Sequence, residues 1–317
     1  METSETPSPP GAGNDTARVD VVDSLTPAQV DAVRAVLAAA GDADGREAVS
    51  EAGRLRLRAG TPRPGVRHLI QTVSGLTTGY AQLETGSARG TAELTVDPAH
   101  RGRGLGRQLL DAVLAAAGPD TTVDFWAHGG HPAAARLAAE RGAELVRELR
   151  QMRRTGEAPE PVPLPAGVEL RTFHPGEDEA AWLALNARAF AHHPEQGAWT
   201  AADLADREAE PWFDPAGFFL ATRGGAPVGF HWTKVHPEGL GEVYVVGVAP
   251  AEQGSGLGRA LTAAGLRHLA LDRKLETVLL YVDADNPAAV RVYERLGFTI
   301  HEVDLMYRVQ ASEGGVR

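Results

Sequence analysis

Val243-Tyr244-Val245-Val246-Gly247-Val248-Ala249-Pro250 leads, after two residues, into Gln253-Gly254-Ser255-Gly256-Leu257-Gly258-Arg259-Ala260-Leu261. The first stretch is short, apolar and β-branched, which predicts a buried strand ended by Pro250. The glycines carry no side-chain bulk and let successive backbone N–H groups turn toward one point. Leu257, Leu261 and Ala264 then recur at helical spacing. Strand, glycine turn and helix N-terminus together make an anion site, most naturally for phosphate. A P-loop would need Gly-Lys-Ser/Thr where the chain has Gly258-Arg259-Ala260. A dinucleotide fingerprint needs G-x-G-x-x-G, and Gly254-x-Gly256-x-Gly258 is one residue short.

The same pattern occurs earlier. Glu93-Leu94-Thr95-Val96-Asp97-Pro98-Ala99-His100 precedes Arg101-Gly102-Arg103-Gly104-Leu105-Gly106-Arg107. Val-x-Pro-x-x-Arg/Gln-Gly-x-Gly-Leu-Gly-Arg aligns in both copies without a gap. Downstream, Val123 to Ala127 and His131-Pro132-Ala133-Ala134 parallel Val278 to Val282 and Asn286-Pro287-Ala288-Ala289. Ordered matches of this kind read as a tandem duplication of one α/β domain.

The turn, Gln/Arg-x-x-Gly-x-Gly/Ala after a strand, resembles the pyrophosphate loop of the GNAT N-acetyltransferase family. That resemblance implies an α/β (α+β) fold of two tandem GNAT acetyltransferase domains, each a mixed β-sheet flanked by helices. It also implies acetyl-CoA as acetyl donor. The expected boundaries are a disordered tail over 1–17, a first domain over 18–154, a linker over 155–167, a second, catalytic domain over 168–309 and a tail over 310–317. Pro159, Pro161, Pro163 and Pro165 stiffen the linker. Thr26-Pro27 and Asn286-Pro287 read as helix N-caps, and Ser50-Glu51 and Thr200 as helix starts.

With 317 residues, 43% of them apolar, the chain can bury two cores. The net charge of −11 argues against nucleic acid and anionic membrane as partners. Without cysteine there is no disulfide framework, thiolate metal site or cysteine nucleophile. No apolar run spans a bilayer and no secretory pattern opens the chain, so a cytoplasmic protein is expected; a monomer is the separate expectation for its assembly. His192, His193, His231 and His236 invite a zinc reading, but no pair has helical ligand spacing with a third ligand evident, so no metal is expected.

Further stretches narrow the resemblance. His193 to Gly197, Phe230 to Pro237, Leu240 to Val248, Phe125 to Gly129 and Gln151 to Arg154 are similar to the mycothiol synthase family of tandem GNAT enzymes. That family acetylates the cysteinyl amine of 1D-myo-inositol 2-(L-cysteinylamino)-2-deoxy-α-D-glucopyranoside to give mycothiol. Two rival functions are a tandem N-acetyltransferase for another small amine, and a non-catalytic acyl-CoA-binding module.

Acetyl transfer to an amine requires a neutral amine, a polarised thioester carbonyl and a proton for the departing thiolate. Glu242 opens the core strand, is expected to share a face with Tyr244 and Val246, and is the candidate base, directly or through water. The alternative is a glutamate that ends a strand in solvent. Tyr293 shares a helix face with Ala289 and Leu296, so it reads as a core tyrosine or, by resemblance, as the acid that protonates the CoA sulfur.

The resemblance implies that Val246, Gly247 and Val248 meet the thioester end. It gives Gln253, Gly254, Ser255, Gly256, Leu257, Gly258 and Arg259 the pyrophosphate, and Asn286, Pro287, Ala288, Ala289, Val290 and Arg291 the CoA arm, with Arg291 reading equally as a solvated helix charge. It places Glu51, Glu195, Lys234, Glu242 and Tyr281 around the acceptor. In the first copy Ala138 stands where Tyr293 stands in the second, so that domain is expected to be non-catalytic. Leu94, Thr95, Val96, Gly102, Arg103, Gly104, Leu105, Gly106 and Arg107 keep its turn, and a second acetyl-CoA is expected there as a structural ligand.

Overall fold

The computed structural model describes residues 17–311 apart from 59, 61, 87, 88, 192, 194 and 195. The tails expected over 1–17 and 310–317 therefore lie almost wholly outside the described residues. In chain order the elements are β1 (Arg18–Val22), α1 (Pro27–Asp44), α2 (Glu51–Leu55), β2 (Val66–Val73), β3 (Leu76–Thr85), β4 (Arg89–Val96), α3 (Leu105–Ala117), β5 (Thr122–Ala127), α4 (Pro132–Glu140) and β6 (Glu144–Thr155). There follow β7 (Val168–Thr172), α5 (Glu179–Ala189), α6 (Ala201–Glu208), β8 (Phe218–Arg223), β9 (Ala226–Val235), β10 (Gly241–Val248), α7 (Leu257–Arg267), β11 (Thr277–Asp283), α8 (Pro287–Arg295) and β12 (Thr299–Gln310).

Local chemistry sets the helix ends. Thr26 Oγ1 accepts from the Gln29 N–H while the Gln29 side chain accepts from the Thr26 N–H, and Gly45 ends α1 in the left-handed region. Thr200 and Asp203 build the same reciprocal cap on α6.

The chain forms two compact units, one of 1–146 with 305–317 and one of 147–304. These units divide within β6 and β12, whereas the boundaries expected from the sequence lie at 154 and 168. In the first unit the strand order is β1-β2-β3-β4-β5 with the end of β12 beside β5. In the second it is β7-β8-β9-β10-β11 with β6 beside β11. The last strand of each repeat thus completes the sheet of the other repeat. Packing enforces the exchange: Met152 of β6 is buried among Val243, Leu266, Leu280 and Phe298 of the second unit. Val309 of β12 is buried with Leu109, Val123 and Phe125 of the first.

Residues 155–167 lie along the second unit. The Arg267 guanidinium donates to the Pro159 carbonyl and the Arg223 guanidinium to that of Ala166. A second core in this unit is aromatic. Trp232 stacks on Phe218 at 4.4 Å, and Trp182 meets both edge-on.

Candidate active site

In the second unit β10 and β11 pair in parallel only from Gly241 to Val243, against Val278 to Leu280. β10 runs on to Val248 and β11 to Asp283, so beyond Val243 the strands part. Against β9 the ladder slips between Val243 and Val245, leaving Tyr244 as a bulge. A bulge bends its strand and increases twist, which accounts for the parting. It leaves the β11-facing backbone edge of residues 245–248 open. It also corrects part of the expected alternation: Tyr244 stays on the side of the Glu242–Lys234 pair, whereas Val246 packs with Val243 on the other face.

Beyond β10 the chain makes one 3-10 turn over Pro250–Glu252, then Gly254 and Gly256 adopt φ of +81° and +91°. Gly256 caps α7. A Cβ on either glycine would meet nothing, so the turn needs glycine for its dihedrals and presents open backbone. Gly258 differs: its Cβ would lie 3.6 Å from Val248, where helix packs on strand. Ser255 Oγ accepts from the Leu257 N–H and donates to the Glu252 carbonyl. The Leu257 side chain is buried, while Gln253 and Arg259 are exposed.

Glu242 is buried, which removes the reading of a solvated strand end. It stands across the ladder from Lys234, also buried. Lys234 Nζ lies 4.6 Å above the Trp212 ring and 5.2 Å above that of Tyr244. Tyr244 is fixed in turn by the Arg207 guanidinium, which donates to its hydroxyl at 2.7 Å. His236 Nε2 lies 2.7 Å from Glu242 Oε2. Neither this contact nor the bulge could be read from the sequence, since both depend on the pairing of two strands.

Tyr293 is buried in α8 against Phe298, and burial pushes its hydroxyl up to about 12. Asn286 Oδ1 accepts from the Ala289 N–H, with Pro287 in the first turn, as the cap signal predicts. Val290 turns its side chain into the core, whereas Pro287, Ala288 and Arg291 are exposed and Ala289 is half-buried. Tyr281 is 42% exposed, and its hydroxyl accepts from Gln151 at 2.8 Å. Glu195 lies outside the described residues. Glu51 opens α2 in the first unit, where the cap residue Ser50 gives its N–H and hydroxyl to Glu93 at 2.9 and 3.0 Å. His192 lies outside the described residues; of the other three histidines, His193 meets Asp283, His231 gives its Nδ1–H to the Leu261 carbonyl, and His236 meets Glu242. No cluster of three His, Asp or Glu suited to a metal occurs among the described residues.

The first unit repeats the frame. β4 and β5 pair in parallel only from Arg89 to Ala92 and then part. Gly102 and Gly104 take φ of +75° and +82°. Beneath them lies a cleft of about 700 Å³, within the size range of ligand sites. Leu94, Thr95, Val96, Gly102, Gly104, Leu105, Gly106 and Arg107 line it, and Arg103 lies outside the lining. The candidate reacting positions differ. β4 pairs with β3 without a bulge. Thr91, opposite Asp124, occupies the register of Glu242 opposite Leu279. Ala138 fills the place of Tyr293.

Residues 65–148 match the acetyltransferase (GNAT) domain and residues 181–298 the acetyltransferase (GNAT) family. Parted central strands and glycine turns at helix N-termini fit acetyl-CoA, and the class they define is an acetyl-CoA-dependent acetyltransferase. A mycothiol acetyltransferase of Streptomyces scabiei is 59% identical over 97% of this chain and 99% of its own. One of Thermobispora bispora is 56% identical over 92% and 99%. Among solved structures, a GCN5-related N-acetyltransferase from Sphaerobacter thermophilus is 26% identical, with a TM-score of 0.67 over 93% of this chain and 96% of its own. A tandem GNAT protein from the clavulanic acid biosynthesis pathway, 19% identical, has a TM-score of 0.72 over 94% and 100% and shares the fold. The chain belongs to the GNAT acetyltransferases and, within them, to the mycothiol acetyltransferase family.

Proposed function

We propose that this enzyme moves the acetyl group of acetyl-CoA to the cysteinyl amine of 1D-myo-inositol 2-(L-cysteinylamino)-2-deoxy-α-D-glucopyranoside, giving mycothiol in the cytoplasm. Full-length identity near 60% to mycothiol acetyltransferases supports the substrate. The observation that carries the chemistry is the buried Glu242 at the point where β10 and β11 part.

In this reading Glu242 takes the amine proton, directly or through a water. A cysteinyl α-amine has a reference pKa of about 8, so the base works on a proton that is partly lost at neutral pH. The open backbone edge at Val246 and Val248 receives the acetyl carbonyl, an oxyanion-type role. Tyr293, held protonated by burial, supplies the proton for the departing sulfur. The turn from Gln253 to Arg259 cradles the pyrophosphate, and the first turns of α8 face the pantetheine arm. Lys234 and Tyr281 flank the acceptor, with Glu195 and Glu51 assigned by resemblance alone.

The first unit binds a second acetyl-CoA as a structural ligand and does not turn over, since Thr91 and Ala138 supply neither base nor acid. The test of the substrate is consumption of acetyl-CoA with the cysteinyl pseudo-disaccharide beside polyamines and aminoglycosides. Preference for the pseudo-disaccharide by 10²-fold or more in kcat/KM is expected. An equal or better polyamine would overturn the assignment in favour of another small amine.

A further inference from the structure

Glu242 has a neighbour that its role as base leaves unused. His236 follows β9, and its Nε2 lies 2.7 Å from Glu242 Oε2. Its backbone is fixed, with the His236 N–H given to the Leu240 carbonyl. The other ring nitrogen, Nδ1, lies 4.0 Å from Glu238. Side-chain exposure rises along this row, from 7% at Glu242 through 21% at His236 to 61% at Glu238. The row runs from the buried base to water. The charged groups that face the imidazole are Glu242 and Glu238, with Lys234 across the ladder from Glu242.

We propose that His236 is a positioning residue that acts through Glu242: it orients the carboxylate, accepts the amine proton passed on by it, and releases that proton to solvent. This rests on Glu242 being the base. The energetics favour a pair over a lone carboxylate. An amine with a reference pKa of about 8 gives its proton to an isolated carboxylate, reference about 4.3, against an equilibrium of nearly 10⁴. Giving it to an imidazole, reference about 6.5, meets a barrier of only about 30-fold. The steps balance. The amine N–H bond breaks as a Glu242 O–H bond forms. That proton then moves to Nε2 of a His236 that is neutral and carries its proton on Nδ1, making an imidazolium whose Nδ1 proton faces the solvent side. The imidazolium gives a proton to water, and the ring re-equilibrates between its tautomers. No oxidant or further reactant is needed.

The test compares His236→Gln, His236→Ala and Glu242→Gln in the full-length protein, with folding checked by circular dichroism. Glutamine keeps an N–H toward Glu242 but carries no proton. Both His236 variants should lose on the order of 10²-fold in kcat at pH 7, the difference between the two acceptors. The acid inflection of kcat should move down toward the carboxylate range. Added imidazole should raise the rate of His236→Ala and leave the wild type unchanged. A His236→Gln rate equal to wild type, or an unmoved inflection with no imidazole response, overturns the relay. If that happens while Glu242→Gln is inactive, the base survives and only His236 is excluded. If Glu242→Gln turns over normally, the base itself is wrong and the relay goes with it.

Discussion

In the proposed mechanism Tyr293 serves two ends. It is a core residue, packed edge-on to Phe298, and its burial raises the hydroxyl to about 12. The same burial keeps the proton on the oxygen at any working pH, as an acid for a thiolate requires. Tyr293→Phe should therefore slow transfer on the order of 10²-fold, with KM for acetyl-CoA little changed. The substitution also has a stability signature. Below the ordinary value of 10 the tyrosine is neutral whether folded or unfolded, and its contribution is complete. As pH rises from 10 toward 12 the unfolded chain ionises first, and that stability is lost, roughly 2–3 kcal/mol in all. Urea unfolding between pH 9 and 12 should show a shallower decline in Tyr293→Phe than in wild type. Identical declines, with an unchanged rate, would remove Tyr293 from both roles.

At the scale of elements, what could be read from the sequence is what local chemistry dictates. The turn at Gly254 and Gly256 is legible because only glycine holds φ near +90° without strain. The caps at Thr26 and Asn286 are legible for the same local reason. The bulge at Tyr244 is not: a gapless alignment puts Gly90 under Glu242, whereas the strand ladders put Thr91 there. One inserted residue, invisible without pairing, decides whether Glu242 is matched by a glycine or by a threonine. The two turns make a paired prediction. A side chain at a left-handed position costs roughly 1–2 kcal/mol, and a carboxylate there also opposes phosphate. Calorimetric titration of wild type with CoA should give two sites per chain. Gly256→Glu should leave one site and abolish transfer. Gly104→Glu should leave one site and spare the rate. Gly256→Asn, which tolerates the left-handed region, should retain binding and separate strain from charge. A single wild-type site, lost with Gly256→Glu, would refute the structural ligand.

For the whole molecule, the consequence lies in the exchanged strands. β6 and β12 end equivalent repeats, and their alternation fits either sheet equally well, so no periodicity shows which sheet each joins. Pairing does. β6 supplies Leu149 to Thr155 against β11, and β12 supplies Leu305 to Gln310 against β5. Each carries its own fasteners. Arg147 grips Asp283 at 2.6 Å in the second unit, and Arg308 grips Asp124 at 2.6 and 2.8 Å in the first. Burial of Met152 and Val309 adds roughly 1.5–3 kcal/mol apiece. Consider, then, a protease site introduced at residue 160, within the stretch that joins the repeats. A simple tandem of two self-contained domains would fall into two independent fragments. Here the first fragment keeps a strand of the second unit's sheet, and the second fragment keeps a strand of the first unit's. Separation would expose Met152 and Val309 and leave two sheets each with a bare parallel edge. The cleaved chain should therefore elute from a sizing column as one species, retain activity, and divide only in denaturant. Fragments that part in buffer would show that each repeat completes its own sheet.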